Sequence, residues 1–162
     1  MGAHLVTRPW HAGDLDKLRS AESLYSAGTL SRRFHSGTST LPPSYLRSLK
    51  RPSLRQTAVH GGQLVGLAEC VWPPDAAGPP DFAIMIADDW QRHGVGRRLV
   101  VGLVRRCVQA GVRHIEAETE AENTAAIALV RSVTRPGVLP GCWMVRSSAM
   151  AANRHLVFTY CG

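Results

Sequence analysis

The chain contains no run of about 18 apolar residues, so no membrane-crossing helix can be read from it. It also lacks any Cys-x-x-Cys pair. Cys70, Cys107, Cys142 and Cys161 are scattered, and none of the seven histidines stands at metal-ligand spacing from a cysteine or carboxylate, so no metal site is expected. Aromatic residues make up 6% of the chain, too few to set a ladder of stacking rings among the basic side chains, which argues against a nucleic-acid binder. Acidic residues are scarce too: 12 Asp and Glu stand against 19 Lys and Arg, and the formal charge of +7 favours a phosphate-rich ligand. Most of the cysteines fall in apolar patterns and read as small buried hydrophobes of a reducing compartment. Residues 1–7 show no charged stretch leading into a long apolar one, so a cytoplasmic protein is expected.

Against these absences, 162 residues with 44% hydrophobic content suit one domain over residues 1–162 with a sizeable core. The most informative stretch is Gln91-Arg92-His93-Gly94-Val95-Gly96, set between an apolar run and a helical pattern. Gly94 and Gly96 have no Cβ, so successive amides can approach a bulky anion, and the following helix directs its positive end to the same point. Arg92, Arg97 and Arg98 add formal charge there, which together reads as a pyrophosphate cradle. The dinucleotide fingerprint fails because Leu99 occupies its third glycine position, although Glu116 lies about 20 residues on. The Walker pattern fails because no Gly-Lys-Ser or Gly-Lys-Thr closes the loop.

Along the chain, residues 3–7 read as a first strand, and Leu15, Leu18 and Leu24 as a short helical face. Residues 28–40, rich in Ser, Thr, Gly and Arg, read as a mobile loop. Pro42-Pro43 opens a helix carrying Tyr45, Leu46 and Leu49, and these two helices with their loop would form a lid. Gly61-Gly62 joins residues 56–60 and 63–71 as a hairpin, and the prolines of 72–80 end the ladder. Residues 82–87 are all apolar, as in a strand covered on both faces, and the helix after the glycine loop runs to Gly111. Ile115, Ala117 and Thr119 alternate with Glu116, Glu118 and Glu120 as a strand, and Asn123 caps a helix through Val133. After a loop at 134–141, residues 142–146 and 156–160 look like terminal strands.

The string from Ala83 to Leu99, with its Gln-x-x-Gly-x-Gly loop after a buried strand, resembles the acetyl-CoA loop of the GNAT acetyltransferase superfamily. The resemblance covers roughly residues 55–133 and is greatest to bacterial domains that acetylate protein lysines. It implies an α/β (α+β) fold: a central mixed, mostly antiparallel sheet with a splayed parallel strand pair, flanked by helices. It implies acetyl-CoA as co-substrate, with the pantetheine arm in the splay. Met85, Ile86 and Ala87 would supply backbone contacts to the acetyl and pantetheine groups. Gln91, Arg92, His93, Gly94, Val95, Gly96 and Arg97 would hold the pyrophosphate, and Asn123 would contact the pantetheine arm or serve only as a helix cap.

Transfer to an amine needs a neutral nitrogen, so a base or water chain must remove a proton from the ammonium form. Asp81, just before the buried strand, is the candidate base, with Glu69 and Glu118 as fallbacks. Two departures from the family pattern stand out. Leu129-Val130-Arg131 replaces a tyrosine that many members use to protonate the departing thiolate, leaving Ser132 as the nearest hydroxyl. Thr134-Arg135-Pro136-Gly137 replaces the usual end of that helix. The expected activity is transfer of an acetyl group from acetyl-CoA to a primary amine, of a protein lysine or a small molecule, by direct attack. The alternative is a non-catalytic CoA-binding sensor of the same fold. The acceptor has no readable code, and a homodimer is compatible with the sequence.

Overall fold

The computed structural model describes residues 2–162. Strand β1 (Val6–Pro9) lies at one edge of the sheet, where Pro9 withholds no ladder bond that a central strand would need. Helix α1 (Asp14–Ser20) follows, and then α2 (Ala27–Phe34), which occupies a segment expected to be a loop. Only Leu30 and Phe34 mark its apolar side, a spacing of four that is too short to register as periodicity. Ser26 supplies what the pattern lacks, since its hydroxyl caps the helix by accepting from the Thr29 amide at 3.2 Å. Helix α3 (Pro43–Ser48) begins at the Pro-Pro step, and the Phe34 and Tyr45 rings meet edge to face at 4.8 Å.

Strands β2 (Leu54–His60) and β3 (Gln63–Val71) form the expected hairpin, turning on Gly61 and Gly62, both at positive φ as a two-residue turn of this hand requires. Strand β4 (Asp81–Ile86) is central, helix α4 (Val95–Gln109) follows the glycine loop, and β5 (His114–Glu120) leads to α5 (Thr124–Val133). A last hairpin joins β6 (Trp143–Met150) to β7 (Asn153–Tyr160). The sheet order is β1-β2-β3-β4-β5-β7-β6, and β4 with β5 is its one parallel pair among the described residues. Helices α2 and α3 reach one face of β3 through Glu69, while α4 packs Leu99 and Cys107 against the other. Cys70 and Cys107 are buried there with sulfurs 3.4 Å apart, but Cys142 and Cys161 are exposed, contrary to the expectation for most cysteines.

Two buried carboxylates tie the helices to the sheet. Asp14 is fully buried and takes two 2.7 Å bonds from Arg8, with the His11 amide at 2.8 Å and Lys17 at 3.3 Å. Burial pushes its carboxyl up, but the Arg8 pair, the His11 amide and Lys17 outweigh this and hold it below the ordinary carboxylate range. Glu69 is 1% exposed and accepts from Arg33, from the Tyr45 hydroxyl at 2.7 Å and from Arg55 Nε at 3.2 Å. Burial and the Glu69 charge push the Tyr45 hydroxyl well above its usual range.

Because the Asp14 carboxyl is depressed in the fold, its contribution is complete above an unfolded pKa of about 3.9 and fades as pH falls through the folded value. Asp14→Asn should therefore cost about 2 kcal/mol at pH 7 and progressively less as pH falls through the folded value, read by urea unfolding across a pH series. Glu69→Gln should cost about 3 kcal/mol at pH 7, because the buried Arg55 and the partly buried Arg33 lose their counter-charge, and the same unfolding measurement checks it.

Candidate functional site

The glycine loop has the geometry of an anion cradle. After a short turn at Asp88–Trp90, Arg92 sits at φ +62° and Gly94 at φ +75°, and α4 starts at Val95, two residues earlier than the sequence pattern indicates. A non-glycine residue in the left-handed region is uncommon. Among the described residues, the amides of Arg92, His93, Gly94, Val95, Gly96 and Arg97 donate to no backbone or side-chain acceptor. No acidic side chain pairs with Arg92, Arg97 or Arg98 in that set. A run of unpaired amides at a helix start, with free guanidinium groups around it, fits a diphosphate.

Side chains hold this loop open. Gln91 Nε2 donates to Ile86 O at 3.0 Å and to Thr29 Oγ1 at 3.1 Å, and His93 Nδ1–H donates to Gln91 O at 2.7 Å. Gln91 and His93, both in the loop expected to hold the pyrophosphate, thus brace the turn with their side chains. Asp88 accepts from Ser26 N at 3.1 Å and Thr29 Oγ1 at 2.7 Å. Burial raises its carboxyl, while these bonds and the Arg32 charge bring it below the ordinary range. Helix α2 is therefore part of the loop's frame. A Cβ on Gly94 would meet nothing within 4 Å, whereas one on Gly96 would come within 3.0 Å of Ile86 Cδ1 and 3.2 Å of Leu129 Cδ2. Gly94 serves the turn, and Gly96 lets the helix start lie against β4 and α5.

The cradle opens onto a gap in the sheet. Strands β4 and β5 pair at Asp81 with Glu116, the Glu116 amide donates to Pro80 O at 3.0 Å, and beyond that point the strands part. Ala87 donates its amide to Val65 O at 2.9 Å. In an antiparallel ladder alternate residues face the partner, so Ala87 and Met85 turn their polar backbone to β3. Ile84 and Ile86 are left facing the gap, with the Ile86 carbonyl already held by Gln91. By this register Ile84 and Ile86 turn their backbone to the splay, whereas of the expected residues Met85 and Ala87 turn theirs to β3. The alternation needed to find it lies in the register with β3, which the uniformly apolar run hides. Asn123 caps α5, its Oδ1 accepting from Ala126 N at 3.1 Å.

The two faces of the gap differ in chemistry. Asp81, Glu116 and Glu118 share one face with His155, which lies 3.0 Å from Glu116 Oε2. Desolvation raises the Asp81 carboxyl above the ordinary range, and the negative charges of Glu116 and Glu118 add to it against an opposing pull from His155. Of the fallback bases, Glu69 is committed to Arg33, Arg55 and Tyr45, while Glu118 is exposed and accepts from Asn153 Nδ2. Ser132 donates its hydroxyl to Leu129 O at 2.8 Å within its own helix. On the opposite face Phe82, Ile84 and Ile86 point to α4 and α5, and the surroundings are apolar.

The comparisons agree with this geometry. The family model described as "Acetyltransferase (GNAT) family" matches residues 22–133. Among solved structures, the GNAT domain of S. lividans PAT superposes with a TM-score of 0.78 at 18% identity, covering 97% of this chain and 96% of that one. An acetyltransferase of the GNAT family from Streptococcus pneumoniae gives 0.70 at 17% identity, covering 98% and 100%. The yncA protein of Salmonella typhimurium, a structure holding its cofactor acetyl-CoA, gives 0.67 at 16% identity, covering 97% and 92%. Comparison with curated protein sequences gives no match. With a family model spanning the strand, the cradle and the helix that follow one another here, the chain belongs to the GNAT acetyltransferase family, whose co-substrate is acetyl-CoA.

Proposed function

We propose that this chain moves an acetyl group from acetyl-CoA to a primary amine by direct attack, with residues 1–162 acting as one domain and Asp81 as the general base. The observation that carries this reading is the carboxylate group on one face of the gap. Although the whole chain bears +7, Asp81, Glu116 and Glu118 gather where the strands part, and such a face attracts a cationic amine. A protein lysine and a small-molecule amine both satisfy it.

The residues divide the work by position. The six free amides from Arg92 to Arg97, with the guanidinium groups of Arg92 and Arg97, hold the diphosphate at the start of α4. Ile84 and Ile86 offer N–H groups along the gap, as a missing strand would require, and Asn123 marks the far wall at the head of α5. When bound, acetyl-CoA supplies a thioester carbon open to attack. Asp81 accepts the proton that the ammonium must lose, and its raised pKa brings it closer to that task than an ordinary aspartate. No hydroxyl near Leu129 and Val130 is free to serve as an acid, so the departing sulfur leaves as thiolate or takes its proton from water.

Asp81→Asn should lower kcat about 100- to 10,000-fold on the best amine while leaving CoA affinity unchanged, measured by thiol release and calorimetry. In the parent protein the acid limb of the kcat/KM profile should fall at a pH above the ordinary aspartate range. If CoA binds but neither protein turns over any amine or lysine peptide, the sensor reading replaces this one. Gly94→Ala should weaken CoA about tenfold, because alanine in the left-handed region costs about 1–2 kcal/mol, and isothermal calorimetry reads it directly.

A further inference from the structure

Side chains alternate along β4 and β5, so the neighbours of Asp81 and Glu116 face the other way. Phe82 and Ala117 point to the side covered by α4 and α5, and there they border a cavity of about 60 Å³. Leu129, Val130, Val133 and Leu139 form much of the rest of its wall, and every side chain lining it is apolar or aromatic. Protein interiors hold few voids larger than a water molecule, and a buried water needs two to four polar partners. This space is about two water volumes and offers none, which suits about two or three methylene groups.

Its place in the gap matters more than its size. The diphosphate cradle lies past the C-terminal end of β4, while Asp81 lies at the N-terminal end. A CoA arm that runs from the one to the other brings its thioester to the Asp81 end, between the carboxylates on one side and the cavity on the other. The amine then arrives from the polar face, and whatever hangs from the carbonyl carbon extends to the apolar face.

We propose that this cavity is an acyl-chain pocket, and that the enzyme uses CoA thioesters of straight acyl chains of about three to five carbons as well as acetyl. The proposal rests on the acetyltransferase reading and adds the acyl donor's range to it. Chain length leaves the transfer unchanged: the amine nitrogen bonds to the carbonyl carbon, the carbon–sulfur bond breaks with its electron pair on sulfur, and the amine proton passes to Asp81.

The test uses the full chain, isothermal calorimetry and four unreactive probes: CoA and its S-ethyl, S-propyl and S-butyl thioethers. Affinity should rise about fourfold with each added methylene through butyl, as burial of a methylene predicts. Val133→Phe, which fills the pocket from a 2% exposed position on α5, should erase that gain while CoA itself binds as before. Should Val133→Phe not fold, Val133→Leu takes up about one methylene of room and should flatten the last step. Turnover with butyryl-CoA in the parent protein, lost in the filled variant, completes the expected result. Equal or falling affinity with chain length, with CoA bound normally, overturns the acyl pocket and leaves acetyl transfer standing. Failure of all four probes to bind overturns both.

Discussion

The functional architecture depends on a central strand pair that separates after a single pairing at the start of β4. Parallel neighbours in the middle of a sheet ordinarily share an evenly spaced ladder, yet β4 and β5 share it only where Asp81 meets Glu116. Past that point the inner edges of two central strands face each other across open space, and polar backbone in such a place calls for a partner. A ligand that can act as a strand meets that need. The divergence also places the start of α4 over the mouth of the gap, so the same departure from regularity creates the slot and aims the helix at its entrance.

Charge follows the slot from end to end. At the mouth, free amides and arginines favour an anion, and at the closed end carboxylates favour a cation. A molecule with a phosphate head and a reactive tail is thereby oriented before any close contact forms. The alternation of side chains adds a second division across the sheet, with ionisable groups above the closed end and hydrocarbon below it. Three directions of approach are thus kept chemically distinct along the length of β4.

Much of this could be read from the chain, and what could not has identifiable causes. The cradle was legible because glycine spacing, a preceding apolar run and a following helical period are all local. The hairpin at Gly61-Gly62 and the parallel pair were legible for the same reason. Helix α2 was hidden because two apolar residues four apart carry too little period, and its ties to Asp88 are made to a segment some 60 residues away. The outward turn of the Ile84 backbone was hidden because a strand apolar on both faces does not reveal which residues face the gap. Glu69 read as a spare base because nothing local indicates that Arg33, Tyr45 and Arg55 converge on it from three other elements.

That convergence also shapes how this sequence can drift. Four side chains from α2, α3, β2 and β3 meet at one largely buried carboxylate, so the worth of each depends on the other three being present. A change at Arg33 alone leaves the Glu69 carboxylate with Arg55 as its one remaining charge partner among the described residues, yet the same change beside an apolar residue at position 69 need not cost stability, since a well-packed hydrocarbon set can replace an ion cluster at no loss. Descendants of this chain should therefore carry the quartet whole or exchange it wholesale, and single-site tolerance measured in one background will not transfer to another.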